Sequence, residues 1–308
     1  MSGLNIHLFG KFSIESNHQV LSDFNSCKVQ ELFSYLLLHR NRPHSREILA
    51  GLLWDNATTE KSKKYLRQTI WNLQTALDAN QNEPASGITL RVEHDWVQVD
   101  TDQVVWLDVA ILEEAFALVE GVACADLNPE QAASLQVAIE LYRGDLLEGW
   151  YQDWCLFERE LLQNKYLIIL DKLLGYCLSN KEYEAGQRYG ALILRYDRAR
   201  ERTHQLLMRL HHLAGDRTAA LRQYERCVAA LREELGVQPD KTTRDLYEEI
   251  RGSQSDNTIE DLLTIDAATS LPEVLHRLKK LQSMLSRVQQ RVKRDIKAVE
   301  LGLKPTAQ

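Results

Sequence analysis

The sequence predicts a mainly α protein with a small β component near its N-terminus. Three observations carry that class. Alternating apolar and polar runs are confined to residues 4–15 and 88–99, whereas a helical apolar period takes over from Asp108 onward. A 35-residue offset then sets Leu178 on Leu213, Ala185 on Ala220, Tyr189 on Tyr224 and Ile193 on Val228. This is close to the 34-residue tetratricopeptide period, in which small and aromatic residues let paired helices stack. At 308 residues, and roughly 150 per domain, there is room for about two domains.

Taken in order, Leu4-Asn-Ile-His-Leu8 and Phe12-Ser-Ile-Glu15 alternate on either side of Gly10, as a half-buried hairpin does, and a third short strand fits near Val20. From Ser26 the period changes. Val29, Leu32, Phe33, Leu36 and Leu37 recur at helical spacing and stop before Asn41-Arg42-Pro43. Ser45 reads as the N-cap of a short second helix containing Ile48, Leu49, Leu52 and Leu53, which Trp54-Asp-Asn56 ends. Thr58 or Thr59 opens a third helix, in which Leu66, Ile70, Leu73 and Leu77 form one apolar stripe. Beyond Pro84, Ser86 and Gly87, the runs Ile88–Val92 and Trp96–Val99 alternate around Glu93-His-Asp95, a second hairpin. Strands, three helices and a closing hairpin are the order of a winged helix-turn-helix, in which the third helix enters the major groove and the hairpin is the wing. Residues 1–104 are expected to form that domain.

Residues 105–252 are expected to form a tetratricopeptide-like helical domain, with helices over 108–120, 129–142 and 153–178 ahead of the repeat. Two clear units are too few for a solenoid, so these earlier helices belong to the same stack. Residues 253–270 are polar and acidic and read as a linker. Residues 271–303 read as a basic coiled-coil helix. Val274, Leu278, Leu281, Leu285, Val288, Val292, Asp295 and Val299 repeat 4-3-4-3-4-3-4, a seam that one helix cannot cover alone, and this predicts a homo-oligomer. From 271 to 308 there are nine Lys or Arg against three Asp or Glu, net +6; residues 1–270 hold 28 against 41, net −13.

With 37 basic and 44 acidic residues the whole chain carries −7, so any nucleic-acid contact must be local rather than a general cationic coat. The third helix supplies one. Opposite its apolar stripe lie Lys64, Gln68, Trp71 and Thr75, flanked by Lys61, Arg67 and Asn72. Cations and amides are what phosphates and base edges require, so Lys61, Lys64, Arg67, Gln68, Trp71 and Asn72 are the candidate DNA-binding residues.

Catalysis finds no support: there is no GxSxG nucleophile, no GxxxxGK[ST] loop and no HExxH, and the acidic group Asp145, Glu148, Asp153 and Glu158 reads as helix caps and salt bridges. The expectation is a protein that is not an enzyme and requires no metal or cofactor. Five scattered cysteines without a CxxC pair, no basic-then-apolar leader and no run of about 20 apolar residues predict a cytoplasmic protein that does not enter a membrane.

Several stretches resemble the SARP-type family of bacterial transcriptional activators, an OmpR-like winged helix followed by a bacterial transcriptional activator domain. The likeness rests on Leu36-Leu-Leu-His-Arg-Asn-Arg-Pro-His-Ser-Arg-Glu-Ile-Leu-Ala-Gly-Leu-Leu-Trp54 in the first domain. In the second it rests on Leu141-Tyr-Arg-Gly-Asp-Leu-Leu-Glu-Gly149, Asp153-Trp154, Glu158-Arg159, Glu201-Arg-Thr-His-Gln-Leu-Leu-Met208, Gly215-Asp-Arg-Thr-Ala-Ala-Leu-Arg-Gln-Tyr-Glu-Arg-Cys227 and Glu234-Leu-Gly-Val-Gln-Pro239. It covers about residues 4–251 and leaves the tail outside. The resemblance implies binding to promoter DNA, often as a dimer on direct repeats, and recruitment of RNA polymerase. One departure bears on affinity: where the family's third helix continues with a basic Ser-Arg-Leu-Arg-Arg-like run, this chain has Trp71-Asn-Leu-Gln-Thr75. Fewer phosphate contacts weaken the salt-dependent part of binding, and an exposed Trp suits a protein interface.

A second function class follows from Arg195-Tyr-Asp-Arg198-Ala-Arg200-Glu-Arg202 together with Arg42 and Arg46, four residues apart. Arginines clamp phosphates bidentately and stack on purines, so these six are candidates for a small anionic nucleotide effector. RxxxR spacing also occurs in cyclic-dinucleotide receptors. The alternative to a direct DNA reader is therefore an effector-sensing protein that docks another transcription regulator.

Overall fold

The computed structural model describes residues 4–252, apart from 17–18, 22–23, 25, 41, 80–87 and 102–104, and Gln282 by itself beyond them. The linker expected at 253–270 and, Gln282 excepted, the coiled coil expected at 271–303 lie outside the described residues. The chain divides into two compact units, Met1–Leu210 and His211–Gln308.

In the first unit the N-terminal alternation becomes β1 (Leu4–His7), β2 (Ser13–Ser16) and β3 (Gln19–Val20), an antiparallel meander with Ile6 opposite Ile14. Gly10, at φ +79°, makes the turn that a side chain would oppose. There follow α1 (Cys27–Leu38), β4 (His44–Ser45), α2 (Arg46–Leu53), α3 (Thr59–Ala79), β5 (Ile88–Val92) and β6 (Trp96–Thr101). Ser45 holds the N-cap position of α2, as expected, but its side chain makes no capping bond. Strand β4 pairs with β6, giving a three-stranded β4-β6-β5 sheet in which β4 adjoins α2 and β6 adjoins α1. This is the winged helix-turn-helix arrangement, mainly α with the small β component that the alternation predicts.

The helical part begins at β7 (Trp106–Leu107), which adds in parallel to β1 and completes a four-stranded β3-β2-β1-β7 sheet. It continues as α4 (Asp108–Val119), α5 (Pro129–Leu141), α6 (Asp153–Ser179), α7 (Tyr183–Tyr196) and α8 (Glu201–Leu213). Asn128 opens α5 with a capping box: its side chain accepts from Gln131 N, and the Gln131 side chain accepts in return from Asn128 N. One hydrophobic cluster runs from Leu4 through α1, α3 and α6 to Leu210, so the helices of the winged part and the first helices of the helical part share a core.

The second unit, as described, holds α9 (Arg217–Glu234) and α10 (Lys241–Gly252). Asp216 and Asp240 accept from Ala219 N and Thr243 N at the two helix starts. Tyr224 stacks on Tyr247 with ring centroids 4.2 Å apart, and Arg217 closes the end of α10 on the Ile250 and Arg251 carbonyls. Ala220, at an expected packing position of the repeat, is fully buried.

Candidate nucleic-acid interface

Helix α3 sorts its residues as an amphipathic period dictates. Leu66, Ile70, Leu73 and Leu77 are buried; Lys61, Lys64, Arg67, Gln68 and Trp71 are exposed, and Asn72 is half-buried. Trp71 keeps 59% of its surface open, a large apolar area to leave in water unless something covers it. Among the described residues no ion pair engages Lys61, Lys64 or Arg67, whereas their neighbour Lys63 pairs with Glu47 of α2 at 2.8 Å. Gln68 Nε2 donates to Asn72 Oδ1 at 3.0 Å, one turn along the helix.

The wing is held to the start of α2, the helix before α3, by a residue that sequence reasoning assigns elsewhere. Arg46 N donates to the Asp95 carbonyl at 2.9 Å, and its guanidinium Nη1 reaches the carbonyls of Glu93 (3.1 Å) and His94 (3.3 Å). The hairpin tip is thereby fastened to the start of α2. Between them lies a cleft of about 540 Å³ lined by Ser45, Arg46, Glu47, Lys63, Leu66, Arg67, His94 and Asp95, charges of both signs. Sequence spacing shows Arg46 beside Arg42 but does not reveal the β4–β6 pairing that carries Arg46 to the wing.

The other candidate arginines have separate surroundings. Arg42 is exposed, with its charge beside Tyr35, His39 and Glu158; burial first, then Arg42 and His44, push His39 down to about 4. Arg195 and Arg198 are exposed at the end of α7 and in the α7–α8 turn, Arg202 lies at the start of α8, and Arg200 is half-buried in an ion pair with Asp171 of α6. Burial raises the Asp171 carboxyl, and Arg200 and Arg202 oppose that shift. Arg200 is thus engaged within the fold.

A further set of residues joins the wing-bearing helices to the helical part. The loop before α6 bridges back to the first sheet: Gly10 N donates to Asp145 O, Leu147 N to Leu8 O and Glu148 N to Gly10 O, each at 2.8 Å. Arg159 locks that loop by donating to the Leu146, Leu147 and Trp150 carbonyls. Trp154 Nε1 reaches Glu31 of α1 at 3.4 Å, and Glu158 faces His39 at 3.4 Å. Their local signal is the run Gly144–Arg159, whose charges read in sequence as caps and salt bridges.

No helix among the described residues is long and apolar enough to cross a membrane, and no cluster of three or more His, Cys, Asp or Glu side chains among them could hold a metal. Residues 107–251 match the family of the bacterial transcriptional activator domain. No curated protein matches the sequence. Among solved structures, the chain is similar to Mycobacterium tuberculosis EmbR in complex with a low-affinity phosphopeptide, with TM-score 0.60 and 18% identity over 88% of this chain and 74% of that one. At that identity the likeness is one of fold.

Proposed function

We propose that the chain is a SARP-type regulator that controls transcription by reading promoter DNA through the exposed face of α3, a reading supported by the match of residues 107–251 to the bacterial transcriptional activator domain and by the winged helix that precedes them. The observation that carries this reading is the solvent-facing set Lys61, Lys64, Arg67 and Gln68, whose three cations have no ion-pair partner among the described residues. Lys61, Lys64 and Arg67 serve phosphates, Gln68 serves a base edge, and Trp71 and Asn72 extend the surface. The helical domain over 105–252 offers itself to RNA polymerase, and the heptads of 271–303 support self-association. Nothing in this reading requires a cofactor or a catalytic step.

A second reading is favoured by Trp71: a winged helix with an exposed indole where phosphate contacts would extend suits docking another transcription regulator, with the outlying arginines taking an anionic nucleotide. A mobility-shift titration of the full chain with promoter DNA across a salt series separates the two. A direct reader shows log affinity falling linearly with log salt, one counterion-releasing contact at a time. A docking protein shifts DNA only when its partner regulator is present.

A further inference from the structure

On the exposed face of α3, one contact does more than hold the helix. Gln68 Nε2 donates to Asn72 Oδ1, which occupies one of the two amide hydrogens of Gln68 and leaves the other, together with Oε1, open to the outside. Reading adenine in the major groove takes two atoms of one amide at once: Oε1 accepts from N6–H while Nε2–H donates to N7. With Asn72 taking the Nε2 hydrogen trans to Oε1, the two atoms left open are the ones that this pairing uses. Asn72 is half-buried beside Leu73, so it is the better-anchored member of the pair, whereas Gln68 stands in solvent. A free glutamine turns about three side-chain torsions and must lose that freedom on binding; one held by its neighbour presents its amide plane in advance.

We propose that Asn72 is a positioning residue that orients Gln68 to read an adenine, so that the base pair opposite Gln68 is an A·T pair. This rests on α3 being the DNA-reading helix. Asn72 itself need touch no base, and its contribution is to base preference rather than to overall affinity.

The test uses the full chain. Randomised duplexes are selected with the wild type, and mobility shift is then run on the enriched site with each adenine replaced in turn by 7-deazaadenine, which lacks the N7 acceptor. At one adenine the wild type should lose roughly tenfold or more in affinity. Gln68→Ala should bind the two duplexes alike, and Asn72→Ala should do so as well although it removes no base contact. Asn72→Asp keeps the acceptor, so it should weaken all sequences through its charge near the phosphates while retaining the adenine-to-deazaadenine ratio. Retention of that ratio in Asn72→Ala overturns the proposal, as does a selected site with no adenine whose N7 matters to Gln68. A wild type that enriches no sequence overturns the DNA-reading function itself, and a melting temperature unchanged in Asn72→Ala excludes loss of the helix as the cause of a lost ratio.

Discussion

The Asp108 carboxylate accepts the backbone N–H of Leu8, at 3.0 and 2.9 Å to its two oxygens, across 100 residues of sequence. It also takes Phe9 N at 2.9 Å and its own Val109 N at 2.7 Å. One side chain thus satisfies the N-terminus of the first helix of the helical domain and the end of the first strand of the winged helix. Being 1% exposed, it is desolvated, and burial pushes its carboxyl above the usual range while the three backbone donors pull it back.

Asp108→Ala should therefore act on both parts at once. Each buried N–H left without an acceptor costs roughly 1–3 kcal/mol, and three share this carboxylate, so a loss of about 3 kcal/mol or more is expected. Urea unfolding followed by tryptophan fluorescence reads it. A change below about 0.5 kcal/mol, the range of an ordinary surface substitution, would show that water replaces the carboxylate freely.

His39 should make stability fall as the pH is lowered. Its folded value of about 4 lies below the unfolded value near 6.5, so its contribution is complete above pH 6.5 and is lost as pH falls toward 4, when only the unfolded chain takes the proton. A tenfold difference in proton affinity corresponds to about 1.4 kcal/mol, and partial solvent access trims the total to roughly 1–3 kcal/mol. His44 is also lowered and acts in the same sense; Glu158, raised by burial and by Glu113, acts in the opposite one. Between pH 7.5 and 5, His39→Gln should lose less stability than the wild type in urea titrations. Parallel losses would remove His39 from the account.

The contrast between α3 and Asp108 shows what a sequence displays. The stripe Leu66, Ile70, Leu73, Leu77 is a local period, and burial follows it residue by residue. The partners of Asp108, the parallel pairing of β7 with β1 and the return of Arg46 to the wing are contacts between distant segments that leave no periodic trace. The candidate face of α3 was legible because amphipathicity exposes its opposite side; the orientation of Gln68 by Asn72 was not, since it depends on a rotamer.

Helix packing offers a similar lesson. The offset repeat points to Ala185, which is half-buried, yet the tight approach of α7 to α8 lies at Gly186 and Gly190. A Cβ on Gly190 would stand 2.6 Å from Leu207 Cδ2 and 2.8 Å from its Cγ. Gly190→Ala gains about 1 kcal/mol in helix propensity but overpacks the contact by roughly 1–3 kcal/mol. The melting temperature should fall, and adding Leu207→Ala should relieve the overpacking, so the two changes couple favourably in a double-mutant cycle. A Gly190→Ala protein that melts higher than the wild type would place the helices further apart than this contact requires.

Self-association is expected to reside in the heptads after Ser270. Truncation there should convert an oligomer into a monomer in sedimentation equilibrium, because the a/d seam from Val274 to Val299 needs a second helix to cover it. An unchanged number of subunits would move the oligomer contact into residues 1–270.

Lys61, Lys64, Arg67 and Gln68 of α3 should separate by kind of contact. Lys64→Ala should weaken binding on every sequence and lower the salt slope by about one, since one phosphate contact releases about one counterion. Lys63→Ala is the internal control: Lys63 already faces Glu47, so its loss should change the slope less. Gln68→Ala should instead relax preference at one base pair, at a cost of roughly 1–3 kcal/mol on the preferred sequence and little on others. Changing Lys61, Lys64, Arg67 and Gln68 together should abolish specific binding, because these residues are spaced to lie along one exposed face and nothing else in α3 combines cations with an amide. Specific promoter binding that survives the fourfold change would move the DNA contact away from α3 and leave Trp71 and its neighbours as a surface for docking another regulator.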